Sequence, residues 1–417
     1  MSAGQKGSDW YPWVVVGLLW PVAMLNYLDR QMLATVRESI RADIPGIASD
    51  RDFGILMAMF MWVYALLSPL GGFLADRLGR RKLVIASLLI WSVMTCLTGL
   101  ANDFGELLAC RSLMGVSEAF YIPAALALIA DFHPGHTRSR AIGIHQSGIY
   151  AGLALGGVGG YIAQAASWRW CFTGFGGLGV FYAVFLWMLL REPPQANTVG
   201  TGSTVKLTVK LSLLEILKEL SGKPGFWILV VCFTLPALSG WFTKNWLPTY
   251  LSDSFKMAEG PAGLSATGCI QVASFFGVLL GGILADRWMR LNNRGRIRTS
   301  ALGLFLLFPA LMGMGFASTL MLTMSCLVLF GLGWGLFDCN NMPILCQIAR
   351  PELRATAYGL MNFVSISVGA AATVGFGWMR DRGMGFSTAL ALAALACLAS
   401  VVLILRIKPT GELEHTL

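Results

Sequence analysis

Charge is what this chain has least of. Asp, Glu, Lys and Arg make up 13% of its 417 residues, about half the share of an ordinary soluble protein. With 56% of residues hydrophobic and a mean hydropathy of +0.65, a soluble fold would have too little polar surface to cover itself, so the expected solvent is the bilayer. No phosphate-binding loop is present, and nothing supports ATP as the energy source. His133, His136 and His145 gather around one loop, but their spacing lacks the His-Glu-x-x-His pattern of a zinc helix, and no metal is expected. The nine cysteines form no Cys-x-x-Cys pair and fall mostly inside apolar segments, where they read as small hydrophobes. No nucleophile with a base, and no carboxylate pair with a metal, marks a membrane enzyme. Catalytic residues and cofactors are therefore not expected. The first apolar run is too long for a cleavable signal peptide, and no small-residue cleavage site follows it.

What is there is repetition. Apolar stretches long enough to cross the hydrocarbon core recur near residues 13–36, 54–75, 83–101, 104–131, 139–164, 170–190, 225–251, 264–285, 299–317, 319–348, 355–379 and 385–406. Twelve membrane helices are predicted. The longest polar stretch separates the sixth from the seventh. It opens with Glu192-Pro193-Pro194, which stops a helix, and Leu211–Leu220 within it reads as a short amphipathic surface helix. The expected organisation is an N-terminal six-helix bundle over 1–191, a linker over 192–223 and a C-terminal bundle over 224–417.

The net charge of +9 does not imply nucleic acid, because the basic residues sit in short loops. One set of loops carries 21 Lys and Arg, the opposite set seven, and three fall inside spans. The positive-inside rule then places both termini and the linker in the cytoplasm, with the cell inner membrane as the expected location. The halves also echo each other. Gly72-Phe73-Leu74-Ala75-Asp76-Arg77 returns 210 residues later as Gly282-Ile283-Leu284-Ala285-Asp286-Arg287, and Arg138-Ser139-Arg140-Ala141-Ile142-Gly143 returns 216 later as Arg354-Ala355-Thr356-Ala357-Tyr358-Gly359. Parallel repeats of this kind hold a substrate near the midplane and rock one half against the other.

Against this background the charges inside spans stand out. A charge at mid-bilayer costs roughly 2.5–3.5 kcal/mol on insertion scales, so such residues usually face a cavity and carry function. The first span holds Asn26-Tyr27-Leu28-Asp29-Arg30. Asp29 and Arg30 point about 100° apart on a helix. An arginine stays charged at any relevant pH, whereas a buried carboxylate can take up a proton. Asp29 is thus a candidate proton acceptor, and Arg30 an anchor for an anion or a counter-ion for Asp29. Arg111 and Glu118, seven apart, share one face of the fourth span, and Gly115 between them lets another helix approach. In the second half, Lys244 and Asp338 are candidate cavity residues, with Asn341, Gln271 and Asn362 as weaker ones. The run Gly174-Phe175-Gly176-Gly177-Leu178-Gly179 lies in an apolar span and reads as helix packing, not as a dinucleotide loop, and Gly156 and Gly160 read the same way.

The stretch Gly72-Phe73-Leu74-Ala75-Asp76-Arg77-Leu78-Gly79-Arg80-Arg81-Lys82 resembles the loop signature of the major facilitator superfamily, and span count, linker and repeat extend the likeness over the whole chain. Within that superfamily, Asn26–Arg30 and Arg111-Ser112-Leu113-Met114-Gly115-Val116-Ser117-Glu118-Ala119 look most like the spinster-like transporters. The resemblance implies an all-α fold of two pseudo-symmetric six-helix bundles working by alternating access, usually as a monomer. It implies proton-linked movement of a lysolipid or sphingosine phosphate, with organic-anion symporters of the same superfamily as the competing reading. It gives Glu118 a proton-linked role beside Asp29, and Arg111 a cavity-lining role beside Arg30 and Asn26. It also makes Asp76, Arg77 and Arg80 a gate, with Asp76 facing the eleventh span, Arg80 within reach of Asp131, and Arg138 opening the fifth span beside them. The expected partners are a lipid or small anion, protons and membrane lipids.

Overall fold

The computed structural model describes residues 10–70, 74, 78–133, 137–192, 218–220, 222–348 and 354–407. Sixteen α-helices are described: α1 (Tyr11–Thr35), α2 (Arg37–Asp43), α3 (Asp50–Leu67), α4 (Arg80–Leu100), α5 (Phe104–Glu118), α6 (Tyr121–Phe132), α7 (Arg138–Leu155), α8 (Val158–Ala165), α9 (Trp168–Leu189), α10 (Pro224–Phe255), α11 (Glu259–Met289), α12 (Gly295–Phe316), α13 (Leu320–Asp338), α14 (Asn341–Cys346), α15 (Arg354–Asp381) and α16 (Phe386–Ile404). Among the described residues ten helical stretches are long and apolar enough to cross a membrane. Together with α3 and the α7–α8 pair they occupy the twelve expected positions. In lipid every backbone group must be satisfied internally, and a helix does this within its own segment, which is why these apolar stretches are helical.

Three spans are broken in two. Pro123 has no N–H to give the carbonyl of Ala119, and Pro343 none for Cys339, so α5 gives way to α6, and α13 to α14, at those points. The fifth span breaks at Gly156-Gly157, a glycine pair of the kind that kinks helices. Each proline break leaves a carboxylate, Glu118 or Asp338, as the last residue of the helix before it.

The two halves pack alike. In the first, α1 lies on α7, α4 on α9, and α5 against both α3 and α4. In the second, α10 lies on α15, α12 on α16, and α13 against both α11 and α12. Each pairing has its mate in the other half, and the halves meet along two equivalent seams, α3 with α15 and α7–α8 with α11. Small residues set the spacing. A Cβ on Gly54 would lie 3.0 Å from the carbonyl of Thr373, and one on Gly157 would strike Leu264. Gly148, Gly152 and Gly156 let α7 lie directly on α1. Gly176 and Gly179 do the same for α9 on α4, so these two glycines of the run serve packing, while Gly174 and Gly177 face open space. The apolar core forms one cluster centred on α1, α4 and α6 and a larger one that runs from α1–α3 and α9 through the second half, so it crosses the seams.

One face of the molecule, the outer one in the orientation given by the charge bias, is latched across both seams. The first two N–H groups of α3, on Asp50 and Arg51, donate to the carboxylate of Asp381 at 2.9 and 3.0 Å. An anion at a helix N-terminus is favoured by the helix dipole and the free N–H groups there. Asp50 in turn pairs with Arg380 across the seam at 3.1 Å and with Arg37 beside it, and Arg380 also holds Asp253 at 2.6 Å. At the other seam Ser39 donates to Glu259 through its backbone N–H (2.9 Å) and its hydroxyl (2.5 Å).

Because Asp50 is the hub of this latch, Asp50→Asn is expected to loosen the outer face. In a cysteine-free background carrying Gln271→Cys, Asp50→Asn should raise labelling by an impermeant thiol reagent added from that face several-fold. An unchanged rate would mean that the latch does not hold the face shut.

Candidate substrate cavity

In the first half the charges collect into one buried group. Asp29, Arg111 and Glu118 are each at most 3% exposed. Arg30 donates through Nε to Glu118 Oε2 at 2.5 Å, with side-chain exposures of 13% and 0%. The guanidinium of Arg30 also lies over three rings, Tyr27 and Tyr64 at 4.5 Å and Phe60 at 4.9 Å from their centroids. Arg111 reaches the same Phe60 at 4.8 Å. Cation–π contacts of this kind strengthen as water is removed. The four side chains sum to no net charge, which makes their burial tolerable in a low-dielectric setting.

Gly115 brings this about. A Cβ there would lie 2.8 Å from the carbonyl of Phe60. With none, α5 closes on α3, and Phe60 and Tyr64 come over Arg30. Asp29 is held separately, accepting from Thr95 Oγ1 at 2.9 Å, while the same hydroxyl lies 2.9 Å from the carbonyl of Trp91. One hydroxyl proton cannot serve both acceptors. With a proton on Asp29, the carboxyl donates to Thr95 and Thr95 donates to Trp91, so the site accommodates either state of Asp29. Among the described residues Glu118 Oε1, Asp29 Oδ1 and Arg111 Nε have no hydrogen-bond partner, so the group retains unused polar capacity.

Between the halves lie two joined lobes of about 280 and 290 Å³, at the lower end of the range for small-molecule sites. They share Tyr27, Lys244, Trp334, Asp338 and Tyr358. The first lobe carries amides and hydroxyls, among them Gln31, Gln146, Tyr150, Thr243, Gln271 and Ser274, beside apolar Ile149, Leu153, Ile270 and Phe330. The second holds Arg30 and is largely aromatic, with Phe60, Tyr64, Phe233, Trp241 and Phe337. Lys244 faces both, its Nζ 4.7 Å from the ring of Trp241. Pro248 in α10 denies the carbonyl of Lys244 its usual partner, and Gln31 of α1 donates to that carbonyl instead at 2.7 Å. A proline kink in one half is thus stitched to a glutamine of the other beside the cavity.

The chain's sequence matches the model of the Major Facilitator Superfamily over residues 19–374. It belongs to that superfamily. Over 441 aligned positions it is 27% identical to the D-galactonate transporter of Escherichia coli O6:H1, covering 99% of each chain. Over 378 it is 28% identical to protein spinster homolog 1 of Xenopus tropicalis, covering 86% of this chain and 70% of that one. The fold resembles that of a bacterial homolog of the human lysosomal transporter spinster, solved inward-facing and unoccupied, with a TM-score of 0.76 at 22% identity over 96% of each chain. The spinster-like resemblance is supported in sequence and in fold, and the protein is a multi-pass secondary transporter whose work is transport, not catalysis.

Among superfamily features predicted above, Arg30, Lys244 and Asp338 line the cavity, and Arg111 borders a smaller pocket of about 40 Å³ beside it. Asp29 and Glu118 stand one layer back, inside the first half. Asn26 is fully buried there too, and Asn341 donates to Asp338 at 3.2 Å from outside the lining. Gln271 and Asn362 are on the wall. His145 is buried and bonded to Tyr121 at 2.9 Å, away from the lobes. Arg80 pairs with Asp131 and donates to the carbonyl of Ala127 at 3.2 Å. Asp76, Arg77, His136 and most of the linker lie outside the described residues, as does the side chain of Arg138. The aromatic cage of Tyr27, Phe60 and Tyr64, and the amides Gln31 and Gln146, were not read from sequence. Their signal was helical spacing: Tyr27 and Gln31 are one turn apart, as are Phe60 and Tyr64.

Filling the contact at Gly115 should take the cage apart without touching a charge. Gly115→Leu is expected to lower substrate affinity about tenfold or more while the protein stays monodisperse, whereas Gly143→Leu, where a Cβ meets nothing within 4 Å, should be silent. Equal affinities in the two variants would contradict the role given to Gly115.

Proposed function

We propose that this carrier is a proton-linked symporter of a small organic anion bearing hydroxyl groups, working by alternating access. The observation that carries the reading is that Arg30 and Lys244 face one cavity whose first lobe sets the amides and hydroxyls of Gln31, Gln146, Tyr150, Thr243, Thr267, Gln271 and Ser274 among apolar side chains. Two cations attract an anion, and the neutral polar groups match hydroxyls that would be left unpaired in an apolar site. The D-galactonate transporter, similar over nearly its whole length, supports the same substrate class.

In the proposed cycle Arg30 is occupied by Glu118 at rest. A proton taken up by Glu118, with Asp29 as a second acceptor, releases the guanidinium to the substrate's carboxylate. Lys244 receives that carboxylate from the second half, and closure around it moves the seams. Arg80 and Asp131 belong to the inner gate with Asp76, Arg77 and Arg138. Residues 1–191 and 224–417 are the moving bodies and 192–223 the linker. The protein works as a monomer in the cell inner membrane with both termini in the cytoplasm.

A second reading, transport of a lysophospholipid or sphingosine phosphate, is favoured by the aromatic second lobe around Arg30 and by the spinster relatives. Uptake into proteoliposomes separates the two. Galactonate uptake driven by an inward proton gradient, lost in Arg30→Ala and made independent of pH in Glu118→Gln, is the expected result. Uptake of lysophospholipid with none of galactonate would overturn the small-anion reading, and pH-dependent uptake by Glu118→Gln would remove Glu118 from proton coupling.

A further inference from the structure

The cation–carboxylate couple of the first half has a second copy. Lys244 follows Arg30 by 214 residues, on the first helix of the second half, and Asp338 follows Glu118 by 220. These offsets lie within ten residues of the 210 and 216 of the two loop repeats. Both carboxylates are the last residue before a break, and each stands five residues ahead of the proline that causes it, Pro123 or Pro343. The copies differ in one respect. Arg30 and Glu118 are closed on each other at 2.5 Å. Lys244 and Asp338 line the same two lobes and form no ion pair among the described residues. Asp338 is exposed, and the surface it shows is the cavity's.

An open couple in a cavity is a pair of unfilled demands. Lys244 offers three donors and asks for an anion. Asp338 offers only acceptors and asks for donors, with one oxygen engaged by Asn341. In the lobe they share with Asp338, Gln146 Oε1 and Ser274 Oγ are buried without a partner among the described residues, so the wall of that lobe is short of hydrogen-bond partners. A carboxylate there repels a second negative charge, and next to an alkyl chain it would lose its hydration with nothing in return.

Resting on the small-anion reading above, we propose that Lys244 and Asp338 are the selectivity pair of this carrier. Lys244 takes the substrate's single carboxylate. Asp338 takes hydrogen bonds from hydroxyls further along the same molecule. The pair admits hydroxylated monocarboxylates and turns away dicarboxylates and plain alkyl acids. Discrimination by an unwelcome charge is a common device, since specificity is a difference of affinities and a repulsive element contributes as much as an attractive one.

Three six-carbon probes test this on the purified full-length protein: galactonate, galactarate with a carboxylate at both ends, and hexanoate with no hydroxyls. Competition against labelled galactonate should give the wild type a preference for galactonate of about tenfold or more over each of the others. Asp338→Asn is expected to bring galactarate to within about twofold of galactonate, and Asp338→Glu to restore the gap. Lys244→Gln should lose all three. Size-exclusion profiles and thermal midpoints identify a variant that has failed to fold, and Asp338→Ser then takes the place of Asp338→Asn. An unchanged galactonate-to-galactarate ratio in folded Asp338→Asn or Asp338→Ser overturns the proposal and leaves the small-anion reading standing. A wild type that binds lysophospholipid but neither sugar acid overturns both.

Discussion

The structure depends on the contact between Arg30 and Glu118. Two charges at this depth are tolerable only while they answer each other, and the surroundings are arranged to keep them together. Gly115 lets α5 close on α3, that closure lays Phe60 and Tyr64 over the guanidinium, and Arg111, which reaches the same Phe60 ring, balances the second carboxylate. Removing one member of such a set leaves another buried and uncompensated, which costs more than the pair contributes. The same fact makes the contact usable. Anything that neutralises Glu118 leaves Arg30 in need of an anion, and the cavity lies on the open side of Arg30.

Duplication explains how the rest is deployed. One six-helix plan is used twice, with equivalent pairings in each half and two equivalent seams between them. The first copy has its cation and carboxylate shut on each other. The second holds Lys244 and Asp338 apart over the lobes. Proton chemistry and substrate recognition can thereby be divided between bundles that move relative to each other. In the proposed cycle, substrate on Lys244 and a proton on Glu118 would bias the same rigid-body motion. The outer latch through Asp50, Arg380 and Asp381 shows what holds the halves in the arrangement seen.

Much of this was legible in the chain because hydropathy and periodicity act locally. The twelve spans, the two halves and the buried charges in α1 and α5 follow from runs of apolar residues and the few charges interrupting them. Gly115 was readable as a close approach because glycine between two same-face charges has little other use in a membrane helix. What was not legible came from long-range geometry. Pro123 and Pro343 break helices whose apolar runs continue unbroken through them. Pro248 frees a carbonyl, but nothing local says that Gln31, more than two hundred residues earlier, takes it up. That Asp29 and Glu118 stand behind the cavity wall while Arg30 stands on it depends on helix rotation, which a difference of one residue changes by about 100°. The polar character of the first lobe escaped notice for the same reason: Gln146, Thr243 and Ser274 are unremarkable singly and meaningful only where three helices meet.

In the proposed cycle substrate and proton exchange places on one ion pair, and counting protons as substrate binds reads that exchange most directly. Purified carrier in weakly buffered detergent solution, with a pH indicator present, should take up close to one proton for each galactonate bound, and Glu118→Gln should bind galactonate with no such uptake. Binding of galactonate to the wild type with no net proton change across pH 5 to 8 would contradict the account.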